Sequence, residues 1–457
     1  MKIKYFKNFL LVGVLCLIFS CNSDKKEYSI LDFGAVNDTV TLNTIAIQKA
    51  IDKCAEKGGK VIVPTGKYVI GTIKLKSNVE LYLEDGANLL GSNSLFDYST
   101  SNKGAIEAPA FNKCLIYAEN SNNIKITGKG VINGRGFKEN FPEKKDDKLA
   151  ERPMLLRFIN CKNITFTNIT LKNSASWCTH LVDCDSIVAQ NVNIDSHVNI
   201  NNDGFDLDGC KNILIENCNI HTGDDGICPK STTTRLTEKM VVKNCRVISN
   251  TSAFKCGTSS RGGFKNITIS DCDFSDTRMG VIKLLMVDGG ILEDINISNI
   301  TMNNVEGPIF IRLGNRGRTY EKPTEQIYDQ EVESEGAPVG SVKNITIRNV
   351  KATVVSDISE RCGIMISGIP GHSIEKVLLQ DIDISYPGGG TVEDAGRQVA
   401  EDIARYPEQF FFGVLPAWGA YIRHAKNIQF KNVTMTTRKP DKREKIVLKD
   451  VEGFVNE

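Results

Sequence analysis

Two short acidic segments carry side chains suited to bond cleavage. Asn201-Asn202-Asp203-Gly204 is followed by Gly223-Asp224-Asp225-Gly226, with Asp203 and Asp224 separated by 21 residues. Cleaving a glycosidic bond takes a proton donor for the leaving oxygen and a second carboxylate that activates water or attacks. Asp203, Asp224 and Asp225 meet that need if the fold brings them together, because crowded carboxylates raise one another's proton affinity. The plainer reading is that Asp and Gly simply build turns here. Further along, Lys230, Lys255, Lys283 and Arg312 offer cations for a substrate carboxylate or sulfate. The run from Leu415 to His424 adds Trp418, Tyr421, Arg423 and His424, two rings able to stack on sugar faces beside two polar bases. For each of these substrate-binding candidates an ordinary structural role is the competing reading.

A scaffold that sets Asp203 beside Asp224 and Asp225 is legible in the sequence around them. Lys162-Asn163-Ile164-Thr165-Phe166 is echoed at Lys211-Asn212-Ile213, Lys265-Asn266-Ile267, Lys343-Asn344-Ile345 and Lys426-Asn427-Ile428. Successive anchors at 163, 186, 212, 239, 266 and 294 lie 23, 26, 27, 27 and 28 residues apart. Repeats of that length whose apolar residues alternate at period 2 are coils of a solenoid with one strand face inward. The expectation is an all-β, right-handed parallel β-helix, with Asn163, Asn212, Asn266, Asn344 and Asn427 as an asparagine ladder. Parallel strands stack about 4.7–4.9 Å apart, so a separation near one coil puts Asp203 next to Asp224 and Asp225. The gaps from 294 to 344 and from 376 to 427 are 50 and 51 residues, and each is expected to hide a second coil. Residues 43–54 read as an amphipathic helix covering the open N-terminal end. Segments 137–151, 315–340 and 386–412 interrupt the repeat, and loops of that size on a regular scaffold commonly shape a pocket.

The rest of the sequence bounds the function. In this 457-residue chain the net charge is +1; removing Lys2, Lys4 and Lys7 with the leader brings it to −2, so no basic footprint for nucleic acid exists. Residues 1–20 read as a signal peptide: basic residues, then an apolar run too short to span a bilayer, ending Ile18-Phe19-Ser20-Cys21. Cys21 is read as the lipidated first residue of an exported lipoprotein, 21–27 as a linker, and 28–457 as a single catalytic domain. An ordinary secretory signal with Cys21 incidental is the alternative. The 14 cysteines recur at repeated strand positions, which favours stacked interior thiols over disulfides. No CxxC pair or His/Cys cluster has metal-ligand spacing, and no metal or cofactor is expected.

Over residues 28–450 the chain resembles glycoside hydrolase family 28, the polygalacturonase family. The resemblance rests on Phe33-Gly34-Ala35, Val63-Pro64 before Gly66, Leu83-Glu84-Asp85-Gly86-Ala87, Arg152-Pro153, and Asn173-Ser174 before Trp177 and His180. The two acidic segments are similar to the family's NTD and GDD motifs. That resemblance implies Asp224 as general acid, and Asp203 with Asp225 positioning a water for attack with inversion. Lys230 matches a lysine of the exo-acting branch. Two departures stand out. Ser252 replaces the histidine of the family's GHG motif, and Val281-Ile282-Lys283 lacks the arginine of its RIK motif. A one-residue shift in a strand turns a side chain to the other face, so Lys283 is either a site cation or a lysine on the wrong side, and the cost of burying it favours the site.

The leading expectation is an exo-acting, inverting hydrolase of an acidic, uronic-acid-containing polysaccharide. The rivals are a lyase or dehydratase on the same scaffold, using Lys255, Lys283, Arg312 and His424, and an inactive glycan-binding lipoprotein. The membrane enters only through the lipid anchor.

Overall fold

A computed structural model describes residues 26–101, 107, 111–145, 148–321 and 330–457. Cys21 and the expected signal peptide lie outside the described residues. Thirty-two strands join in one parallel sheet that winds as a right-handed β-helix. The period-2 pattern becomes an aliphatic stack inside it. Ile124, Ile164, Ile187, Ile213, Met240, Ile267, Ile295, Ile345, Val377 and Ile428 are each in register with the next. All ten are buried, and each such side chain contributes about 1.5–3 kcal/mol by leaving water. The cysteines of the repeat are interior, free thiols that bond to nearby carbonyls; Cys218, Cys245 and Cys272 each donate to the carbonyl two residues earlier.

The coils turn where the repeat places its asparagines. Asn163, Ser186, Asn212, Lys239, Asn266, Asp294, Asn344, Lys376 and Asn427 all have φ between 54° and 60°. Asn and Asp tolerate this left-handed conformation best, which is why they recur. Their amides link coils: Asn163 Nδ2 donates to Asn123 at 3.0 Å, and Asn212 Nδ2 to Asp185 at 2.7 Å.

The two long gaps hide no extra coil. Strand Ile291–Val305 pairs directly with Ser341–Val354, and Ile374–Tyr386 with Ala417–Thr437. The surplus residues leave the solenoid as insertions, 314–340 and 387–416, and return in register. Helix α1, Thr44–Ala55, covers the N-terminal end with Ile47, Ala50, Ile51 and Cys54 fully buried. Lys26 and Glu27, expected in a linker, already pair with Gly59 and Lys60; their exposed side chains suit an outermost strand.

Eight stacked strands form the face that carries the chemistry: β1 Thr179–Val182, β2 Phe205–Asp208, β3 Ile227–Lys230, β4 Ser252–Cys256, β5 Gly280–Met286, β6 Ile309–Leu313, β7 Ile364–Ser367 and β8 Ala417–Thr437.

Candidate active site

The aspartates sit in the turns that lead into β2 and β3. Cys178 N donates to Asp203 O, Gly204 N to Asp225 O and Gly226 N to Ser252 O, so Asp203, Asp225 and Ser252 stack one coil apart. Glycine is required beside them: a Cβ on Gly204 would stand 2.3 Å from the carbonyl oxygen of Gly226. Buried Arg152 sets the first turn by donating to Ala175 O, Ile200 O and the side chains of Asn199 and Asn201. Asn202 donates to Ser174 O at 2.7 Å and accepts from Asn199 N at 2.6 Å. The two asparagines ahead of Asp203 therefore build the turn.

Three carboxyls in one place acquire different proton affinities. Burial raises Asp224, and the neighbouring Asp225 raises it further, against the opposing pull of Lys255 and of the Thr251 hydroxyl. Burial also works to raise Asp225, but Lys255, whose Nζ donates to it at 2.8 Å, and Lys283 outweigh that and hold it well below the usual carboxylate range. Asp203 is pushed well up by burial, then by Asp206 and Asp224. Asp203 and Asp225 present oxygens within 4.8 Å of one another, close enough to share one water. Asp203 and Asp224 are both raised; of the two, Asp224 is partly exposed whereas Asp203, like Asp225, is buried.

Next to this trio lies a second polar group. Lys230 Nζ is 3.4 Å from both Glu107 and Asp206 and sits over the Trp177 ring at 5.0 Å. Burial, with Glu107 and the catalytic aspartates adding to it, takes Asp206 up to about 8 even against Lys230. His180 is in register with Asp206; burial, then Arg157 and Lys230, drives its ring well below its ordinary value and keeps it neutral. Among the described residues, both ring nitrogens of His180, Asp206 Oδ2, Asp203 Oδ1 and Ser252 Oγ are buried without a hydrogen-bond partner, while Asp206 Oδ1 has only the ion pair with Lys230. Buried polar atoms need partners, so this cluster can bond a polar ligand or water.

Lys283 faces this site. Ile282 and Leu284 enter the interior, while Lys283 aligns with Lys255 on the outer face and its Nζ meets Glu408 at 2.5 Å. The lysine is fully buried under the 387–416 insertion, which explains how it sits on an outward face without reaching water.

The remaining five residues read as substrate contacts are engaged within the chain, away from the three aspartates. Arg312 donates to Ser367, Gly368 O, Glu401 O and Asp402 O. Arg423 donates to Ser367 Oγ, Val399 O, Ala400 O and Glu401 O. Both guanidiniums are spent on clamping the insertion. Tyr421 is buried against Phe310, Met365 and Phe412 under that insertion. Trp418 packs edge-on against Tyr386 at the C-terminal end of the interior. His424 bonds Asp450 and Glu401 at a coil corner. Each of these residues makes its contacts with other parts of the chain.

Glu107, Thr251 and Glu408 belong to the site although the sequence does not single them out, and His180, named there only for the family resemblance, joins them. His180 was discoverable, as an outward position of a period-2 strand in line with Asp206. Glu107 and Glu408 arrive from segments outside the repeat and carry no periodic signal. A mixed group, Asp195, His197 and His221, lies outside the site with ligating atoms within 4.8 Å of one another, but Lys172 already pairs with Asp195 at 2.8 Å.

Comparison with known proteins identifies the family and the fold. Residues 54–401 match the model of glycosyl hydrolases family 28. A probable polygalacturonase of Vitis vinifera is 29% identical over 380 residues, covering 78% of this chain and 74% of that protein. The exo-poly-alpha-D-galacturonosidase of Dickeya chrysanthemi is 30% identical over 251 residues, 44% of this chain; the match spans only 41% of that longer relative. In structure, the Yersinia enterocolitica family 28 exopolygalacturonase superposes with a TM-score of 0.72 at 20% identity, over 94% of this chain and 78% of that one, which establishes the shared fold.

Proposed function

The chain belongs to glycosyl hydrolases family 28, and we propose that it is an exo-acting, inverting hydrolase that releases a uronic acid unit from the end of a pectic oligosaccharide. The observation that carries this reading is the split among the aspartates, with a raised, solvent-facing Asp224 beside an Asp225 kept ionised by Lys255. Asp224 donates its proton to the leaving oxygen as the bond to the anomeric carbon breaks. A water held between Asp203 and Asp225 attacks from the opposite side and loses its proton to Asp225. Asp203, with its raised proton affinity, is the positioning partner of that water and Asp225 is the base. The exo reading draws support from Glu107, which comes from outside the coils to lie on Lys230 beside Trp177 and His180 and would bound the site on that side. Export and lipid anchoring through Cys21 are part of the same proposal, matching an enzyme whose polymer substrate lies outside the cell.

The elimination reading loses its residue set. Lys255 and Lys283 are paired with Asp225 and Glu408, while Arg312 and His424 face other partners. Incubation with pectic oligosaccharides tests the choice. New reducing ends, a monomer product and no ultraviolet absorbance are expected. Absorbance from a conjugated uronate with no gain of reducing ends would establish elimination instead.

A further inference from the structure

Two histidines and an aspartate meet on the outside of the solenoid where two consecutive coils lie side by side. Asp195 belongs to strand Asn193–Ser196, and His197 stands just beyond the end of that strand. His221 comes from the next coil, in strand Asn219–Thr222, directly in register with Asp195. The ladder continues past both strands, since Gly223 N donates to Ser196 O at 2.9 Å. Backbone pairing therefore brings the three side chains together. The sequence hides this group because its histidines are a coil apart, at 197 and 221, and form no compact motif.

The donor atoms converge. Asp195 Oδ1 lies 3.1 Å from His197 Nε2 and 4.0 Å from His221 Nδ1, and one ligating atom from each residue falls within 4.8 Å of the others. The two imidazoles face one another with centroids 4.0 Å apart and 28° between their planes. Around a zinc ion with bonds of about 2.0–2.2 Å, neighbouring donor atoms stand roughly 3.3–3.5 Å apart. The first contact already has that scale, and the second reaches it by a side-chain movement of under about 1 Å. Lys172, in register with Asp195 on the preceding coil, takes the other carboxylate oxygen, Oδ2, at 2.8 Å. That pairing fixes the carboxylate and leaves Oδ1 turned toward the rings, which is the work of an outer partner in a metal site.

We propose that Asp195, His197 and His221 bind one divalent transition-metal ion of the zinc class. Two imidazoles with one carboxylate suit zinc, nickel or copper, whereas calcium and magnesium prefer sets made of oxygen alone. All three side chains are partly exposed, so the ion enters from solvent and water fills its remaining positions. Its effect is to staple two coils at the roots of the acidic turns. His197 leads into the segment that ends at Asp203, and His221 precedes Gly223 and Asp224. The two roots are in close approach, since a Cβ on Gly223 would stand 3.2 Å from His197 Cα.

Calorimetric titration of the chelator-treated full chain with ZnCl₂, and separately with CaCl₂, tests the proposal without any substrate. Saturable binding of one equivalent of Zn²⁺ is expected, with Ca²⁺ giving no comparable heat. His197→Ala and His221→Ala should each weaken Zn²⁺ binding by about tenfold or more, while Asp203→Asn leaves it unchanged. Asp203 is the control because it forms, with Asp225 and Cys228, the other group whose donor atoms lie within 4.8 Å. Zn²⁺ should also raise the melting temperature of wild type and not that of His221→Ala, because the site exists only in the folded chain. Electron paramagnetic resonance of the Cu²⁺-loaded wild type should show two nitrogen ligands, a readout that needs no variant to fold. Absence of Zn²⁺ binding overturns the proposal. So does binding that survives both histidine substitutions or is lost with Asp203→Asn, and so does a Cu²⁺ spectrum with oxygen ligands alone.

Discussion

Lys283 is in register with Phe310, Met365 and Tyr421 along one outward row of the β-helix, yet the two ends of that row do opposite work. Around β2 to β5 the face holds aspartates, lysines and a histidine, several with buried atoms that no partner satisfies. Around β6 to β8 it holds Arg312, Arg423 and an aromatic cluster, with nearly every donor of the two guanidiniums placed on a carbonyl or hydroxyl of the chain. Residue types suited to binding an acidic sugar occur at both ends. What separates them is use: in the second region the side chains fasten the insertion, and in the first they are gathered around the three aspartates.

That contrast is open to attack by substitution. Asp224→Asn should lower kcat by about 10²–10⁴ while leaving binding and melting temperature nearly unchanged, read from reducing-end kinetics and thermal melts. A variant that kept full activity would remove Asp224 from the acid's role. Arg312→Met should behave in reverse, costing about 2–4 kcal/mol of stability through stranded carbonyls and loosening the insertion, as seen in denaturant unfolding. Lys255→Met tests the link between charge and chemistry. Without that ammonium, burial raises Asp225, so the acid limb of the rate–pH profile should move up by about 1–3 pH units. The smallest effect has the opposite sign to that of Arg312. Folded Asp206, up at about 8, binds a proton that the unfolded chain, at about 3.9, has already released. Asp206 therefore weakens the fold as pH rises from 4 to 8, and Asp206→Asn should gain melting temperature relative to wild type at pH 8 more than at pH 4. An equal shift at both values would show that Asp206 is not strained.

The coils were legible because a strand must alternate and a left-handed turn selects Asn, so Asn163, Asn212 and Asn266 advertise the period. The same rule failed between 294 and 344, since spacing alone cannot tell a hidden coil from an excursion that returns in register. Asp203, Asp224 and Asp225 were readable because their separation is nearly one coil. Arg312, Trp418, Tyr421, Arg423 and His424 were not, because side-chain type says nothing about whether a partner within the chain has already claimed it. Glu408 completes the site from a segment whose only sequence signal is that it breaks the repeat, and Glu107 from a stretch ahead of the first anchor at 163.

The direct pairing of Ile374–Tyr386 with Ala417–Thr437 has a mechanical corollary. Through its backbone ladder each coil is bonded only to its neighbours, so a β-helix pulled from its ends peels one coil at a time. An ordinary coil of 26 or 27 residues would release roughly 90 Å of extended chain. The coil containing the 387–416 insertion would release roughly 170 Å, and would do so only after Arg312 and Arg423 let go. The clamp over the insertion is thus also a brake, set between the C-terminal end and the coils that carry the aspartates.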